Sequence, residues 1–305
     1  MLIFEIPAIT VAIVIFIHIA LNRANRSKIK NHGWLILIIV NLFQLLIDLP
    51  MPMSYYYLET VWPAFYQYCI WWTWCEFSVN AIGLFLMTWI SIERHVIIFQ
   101  PNTILQKPWK KWMFHFIPLI LCLIYTPTLY FVLIVISPYC NTLWDFNYIS
   151  CGSPCYFTTN FLGQFDFIFN VALPVFVIAL ANLSLLSRVI YQKMSHNQII
   201  RWRNHRKMVI QLWIISSLYM ACWLPVTIVS LIQITVIPSF MADQMDVISF
   251  SIYLIPLFLP IICLSTFPDL IQKIINTIGI RGRNIIGIAN ITRTVEQTAT
   301  NTNRR

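Results

Sequence analysis

The stretch that most constrains this chain runs from Cys69 to Arg94, CIWWTWCEFSVNAIGLFLMTWISIER; between Ile70 and Ile92 its only charged residue is Glu76. A helix of that length is long enough to cross a hydrocarbon core of about 30 Å, and in lipid only a helix or a closed barrel satisfies its own backbone. The rest of the chain keeps the same character. It is 59% hydrophobic and 10% charged, with a mean hydropathy of +0.72. A water-soluble domain has too little interior for that much apolar surface, so the composition indicates a polytopic membrane protein.

The net charge of +9 would suit a nucleic-acid partner, but the placement of the 20 Lys and Arg residues argues against one. They occur at 23–30, 94–111, 188–207 and from 273 onward, at or in alternate connections between apolar runs or in the tail. Basic residues flanking spans stay cytoplasmic, so the amino terminus is expected outside and the carboxyl terminus inside. Glu5, Glu59, Asp145, Asp243 and Asp246 then fall at the outer face. An odd number of crossings follows, and seven fit. They are Leu2–Leu21, Gly33–Tyr57, the run ending at Arg94, Trp112–Ile136, Phe161–Leu186, Met208–Ile232 and Val247–Thr266.

The first run lacks the basic start and small-residue cleavage site of a signal peptide, so it is read as a span that leaves no outer domain for a large ligand. Pro50 and Pro52 predict a kink in span two. After Pro268, Asp269–Ile278 is expected to lie on the inner leaflet as an amphipathic helix closing a receptor domain of residues 1–278. Residues 279–305, rich in Asn, Thr and Arg, are expected to form a disordered cytoplasmic tail.

Particular residues narrow the class. Glu93-Arg94-His95, with Cys69 twenty-five residues before the arginine and Pro101 seven after it, resembles the third span of rhodopsin-like (family 1) G protein-coupled receptors. Cys222-Trp223-Leu224-Pro225 in span six is similar to that family's Cys-Trp-x-Pro, and Leu259-Pro260-Ile261-Ile262-Cys263 to its Asn-Pro-x-x-Tyr, with Leu259 and Cys263 as departures. Other departures are Asn41, nine residues before Pro50 where the family has a buried aspartate, Gly83 where it has a serine, and Asn182 where span five has a tyrosine. Span one lacks the family's Gly-Asn pair and span four its tryptophan.

The resemblance implies an all-α seven-helix bundle in the plasma membrane that binds an extracellular small ligand or short peptide and activates a heterotrimeric G protein. It assigns Glu93, Arg94, His95 and Pro101 to the G protein face, and Pro174, Tyr219, Trp223, Pro225 and Pro260 to the switch. His205 stands where some members carry a second carboxylate that restrains the arginine. The resemblance also ties Cys69 to the second outer loop. Of Cys140, Cys151 and Cys155, the last stands closest to span five, at a family-like distance from Pro174, which leaves Cys140 and Cys151 to close a hairpin; spacing alone does not decide the connectivity.

Charged groups within a membrane span are costly, so Asp48, Glu76 and Asp166 are functional candidates. Glu76, eighteen residues before Arg94, holds the place where amine receptors of the family carry an aspartate; its alternative is a neutral carboxyl or one bonded to a nearby Tyr or Trp. Asp48 lies two turns beyond Asn41 on the same face, as ligand contact or as packing at the kink. Asp166, eight residues before Pro174, is either a ligand group or an interfacial charge. Phe77, Asn80 and Trp223 complete the expected ligand set. No nucleotide loop, internal repeat or metal-ligand spacing occurs, and neither an enzyme, a cofactor nor a metal site is expected. A transporter, or a receptor-like protein that no longer couples, is the rival reading.

Overall fold

The computed structural model describes residues 2–21, 29–99, 109, 112–137, 140–158, 160–194, 199–237, 239–265 and 270–272. The chain divides into two compact units, residues 1–266 and 267–305; in the second, residues 270–272 are helical. The rest of the expected amphipathic helix and the tail lie outside the described residues, as does Pro101.

The first unit is built of helices joined by short connections, and no strand occurs among the described residues. Seven stretches are long and apolar enough to span a membrane: Ile3–Leu21, His32–Leu58, Tyr66–Val96, Trp112–Ile136, Phe161–Ser187, Val209–Thr235 and Ala242–Leu264, here spans one to seven. They form a ring in which span one meets two and seven, and span six meets five and seven. Span three contacts two, four, five and six. It is 56% buried over its most apolar window, against 28% for spans one and four, so it is the axis on which the others pack.

The prolines show why the spans are not uniform rods. A proline has no N–H and its ring crowds the carbonyl four residues back, a strain that an extra residue in the preceding turn relieves. Such wide turns occupy Gln44–Asp48 ahead of Pro50 and Phe167–Ala172 ahead of Pro174. There Leu49 N–H bonds the Gln44 carbonyl, and Leu173 N–H that of Ile168. The kink expected in span two is therefore a wide turn, and Asp48 is its last residue. Span six runs unbroken from Ile199 to Thr235 through Pro225. Trp223 is buried there, its carbonyl accepting from Thr227 Oγ1 at 2.8 Å.

One end of the bundle carries the disulfides, and they correct the expected pairing. Cys69 is joined to Cys151 and Cys140 to Cys155, with Cα separations of 5.7 and 6.0 Å, so Cys155 is not the partner of Cys69. The reason is a reversal that distance along the chain from span five does not register. A short 3-10 turn, Ile149–Cys151, holds Ser150 and Cys151 at φ 54° and 58° and carries Cys151 back over span three, where it is buried with Trp72, Met51 and Val61. Cys155 stays at the root of span four, its Sγ 3.4 Å from Ser137 Oγ. Further bonds tie down the connection between spans four and five: Val61 N–H to the Phe146 carbonyl at 2.8 Å and Tyr55 O–H to that of Asn147 at 2.7 Å. Cys69→Ala and Cys151→Ala are expected to lower surface expression alike, with the double variant no worse than either. Additive losses for that pair, with non-additive losses for Cys69→Ala and Cys155→Ala, would instead restore the Cys69–Cys155 pairing.

Candidate functional site

Spans two and three run antiparallel, so facing residues advance in opposite directions by one turn at a time: Gln44 with Asn80 and, a turn further toward the disulfides, Asp48 with Glu76. The middle layer is closed by Gln44 Nε2 donating to Asn80 Oδ1 at 2.8 Å. In the layer below, Asn41 Nδ2 donates to the Pro256 carbonyl of span seven at 3.0 Å, and Gly83 leaves room for the buried Tyr219 of span six, whose hydroxyl would stand 3.5 Å from an added Cβ.

The third layer, toward the disulfides, sets two carboxylates within electrostatic reach of each other, both near the Tyr253 phenol. Asp48 is fully buried, and neither of its oxygens accepts a well-formed hydrogen bond, although Gln44 and Tyr253 stand near it. Glu76 Oε2 accepts from Ser150 Oγ at 2.5 Å, and the buried Trp72 indole and Tyr253 phenol stand near the same carboxylate without full hydrogen-bond geometry. Ser150 is held in turn, its carbonyl accepting from Thr73 Oγ1 at 3.1 Å. Among the described residues no basic side chain stands beside this acidic pair. In a low-dielectric interior two adjacent carboxylates repel strongly, and a cation or a shared proton relieves them.

Asp166 belongs to a different cluster. Its Oδ1 accepts from Tyr130 O–H at 2.8 Å and Asn170 Nδ2 at 2.7 Å, and its Oδ2 from Tyr156 O–H at 2.9 Å. Burial, and the Asp166 carboxylate beside it, push the Tyr156 phenol well above its ordinary pKa, so it stays a neutral donor. Phe77 joins this cluster, its ring 5.6 Å from those of Tyr130 and Phe157. The structure thus brings Asp48, Glu76 and Asn80 together and sets Asp166 and Phe77 apart from them.

The opposite end carries the arginine motif. Arg94 and Glu93 are buried, at 1% and 4% exposure, and His95 is half-buried. Glu93 Oε1 is 2.5 Å from His115 Nδ1 of span four, and His115 Nε2 is 3.0 Å from His32 Nδ1 of span two. Gly33 permits this approach, since a Cβ there would stand 3.0 Å from Ile90 and 3.9 Å from Glu93 Oε2. Of the expected switch residues, Pro174 offers its carbonyl to Thr88 Oγ1 of span three at 3.4 Å, and Pro260 is buried in span seven. Ser216 of span six donates to Asn182 of span five at 2.8 Å. The side chain of His205 lies outside the described residues.

Sequence reading missed Tyr253, Ser150, the Tyr130–Tyr156–Asn170 cradle and the two histidines. For Gln44 the signal was available: carrying the antiparallel register one turn outward from Asn41 and Gly83 pairs it with Asn80. Residues 11–266 match the family model described as 7 transmembrane receptor (rhodopsin family). No curated protein matches the chain.

Proposed function

Because this chain belongs to the rhodopsin family of seven-transmembrane receptors, we propose that it responds to an extracellular ligand bearing an ammonium or guanidinium group, held at Glu76 and Asp48, and that it activates a heterotrimeric G protein through the end bearing Arg94. The observation that carries the ligand class is Asp48, a fully buried carboxylate near a second one, with no basic side chain beside it among the described residues. Aromatic Trp72 and Tyr253 nearby suit a cation as well. Agonist binding would act by favouring an arrangement of spans five and six that opens the Arg94 end. A transporter would need ionisable groups along a path, and spans two and three carry none between the acidic pair and the arginine end.

The basic connections support a disulfide end facing outward and a cytoplasmic carboxyl terminus. The test uses cells expressing the chain with a tag at each terminus. The amino-terminal tag should stain on intact cells and the other only after permeabilisation, and these cells should signal to cationic amines or basic short peptides but not to their neutral isosteres. Inverted staining, or responses confined to uncharged ligands, would overturn the reading.

A further inference from the structure

Glu93 has more than one suitor. A carboxylate accepts hydrogen bonds and cannot donate, so the short contact to His115 assigns the proton to Nδ1 of that ring. The other ring nitrogen, Nε2, shares a hydrogen bond with His32 Nδ1 at 3.0 Å, accepting it in one tautomer and donating it in the other. The result is a chain of hydrogen bonds that links span two through span four to the glutamate of span three, with His115 itself only 3% exposed. It draws Oε1 toward span four, while Oε2 lies against Gly33 of span two and has no hydrogen-bond partner. Arg94, the next residue, is close enough to feel the same charge.

We propose that His115 is a positioning residue for coupling: with His32 behind it, it competes with Arg94 for the Glu93 carboxylate and thereby loosens the restraint that Glu93 places on the arginine. The inference rests on the G protein reading above. A strong hydrogen bond from a second donor takes up lone pairs and fixes the side chain on one side of span three. Less of the carboxylate's field and geometry is then directed at Arg94, so the ligand-free receptor reaches its active arrangement more often.

The experiment is a double-mutant cycle in full-length receptor, comparing the parent, His115→Phe, Glu93→Gln and the double variant, with ligand-free G protein activation normalised to surface amount. Glu93→Gln should raise that activation. His115→Phe should lower it by roughly three- to tenfold, the range of one hydrogen bond's net contribution. In the Glu93→Gln background the same change should do nothing, and His115→Asn, whose amide donates from a similar place, should return activation toward the parent.

A His115→Phe effect of equal size in both backgrounds, or a rise in activation, would overturn the proposal. Melting temperatures of the same four purified proteins form a second cycle. Coupling there without coupling in signalling would make the contact structural only and end the proposal, and additivity in both would show that the pair does not interact. Arg94→Ala serves as the control for the underlying reading: it should silence ligand-free activation, and unchanged signalling would remove the coupling role of the arginine together with this inference.

Discussion

Glu76→Gln is expected to raise the half-effective concentration of a cationic agonist by roughly ten- to a hundredfold while surface expression stays near that of the parent. Glutamine keeps the shape of the side chain and an oxygen to accept from Ser150, so the fold loses little. What disappears is charge. A charge-assisted hydrogen bond contributes on the order of 1.5 to 3 kcal/mol, and each 1.4 kcal/mol is tenfold in affinity. The loss is bounded because Asp48 stands near Glu76 and retains its own carboxylate. Dose–response curves with matched surface labelling decide the matter. A variant that fails to reach the surface would make Glu76 a structural residue, and an unchanged potency would move the anchor to Asp48.

Asp166→Ala is expected to behave in the opposite way, with surface receptor nearly lost whatever ligand is applied. Removing this carboxylate takes an acceptor from three donors, the hydroxyls of Tyr130 and Tyr156 and the amide of Asn170, all in residues that are at most 2% exposed. A buried donor deprived of its acceptor costs about 1–3 kcal/mol, so losses at this cluster are large against a whole domain's stability of about 5–15 kcal/mol. Asp166→Asn, which keeps one acceptor oxygen, should be milder, as should Tyr130→Phe or Tyr156→Phe alone. Flow cytometry of tagged variants gives the answer. Normal surface amounts of Asp166→Ala together with a lost agonist response would make Asp166 a ligand group.

These two carboxylates also mark where sequence reasoning stops. The seven spans were legible because apolar length and the scarcity of charge are local properties, and the family motifs because they lie within single helices. Asp48 and Glu76 were legible as candidates because a helix period carries a face outward from Asn41 and from Arg94. Asp166 looked equivalent to them in the sequence, since its costs are the same; only folding shows that three donors from span four, span five and their connection converge on it. The disulfide pairing was hidden for a related reason. Cys151 reaches span three through two consecutive left-handed residues, and neither Ser150 nor Cys151 is a residue type that announces such a bend. Likewise Glu93 and His115 are 22 residues apart and His115 and His32 are 83 apart, so their meeting depends on helix packing rather than on any local pattern.

The Ser150 contact has a consequence for time as well as for affinity. The hydroxyl that rests on Glu76 belongs to the residue next to Cys151, so the disulfide to Cys69 keeps it within reach whenever it lets go. A tethered group of this kind competes at a high local concentration that no dilution of the sample changes. If Glu76 holds the cation as proposed, the ligand would meet this oxygen only in the fraction of molecules whose loop is momentarily lifted, and its apparent affinity would be scaled by that fraction. The same loop closing over a seated ligand would delay its escape. Slow onset and slow washout would then have one origin, a covalent leash one residue from the anchor.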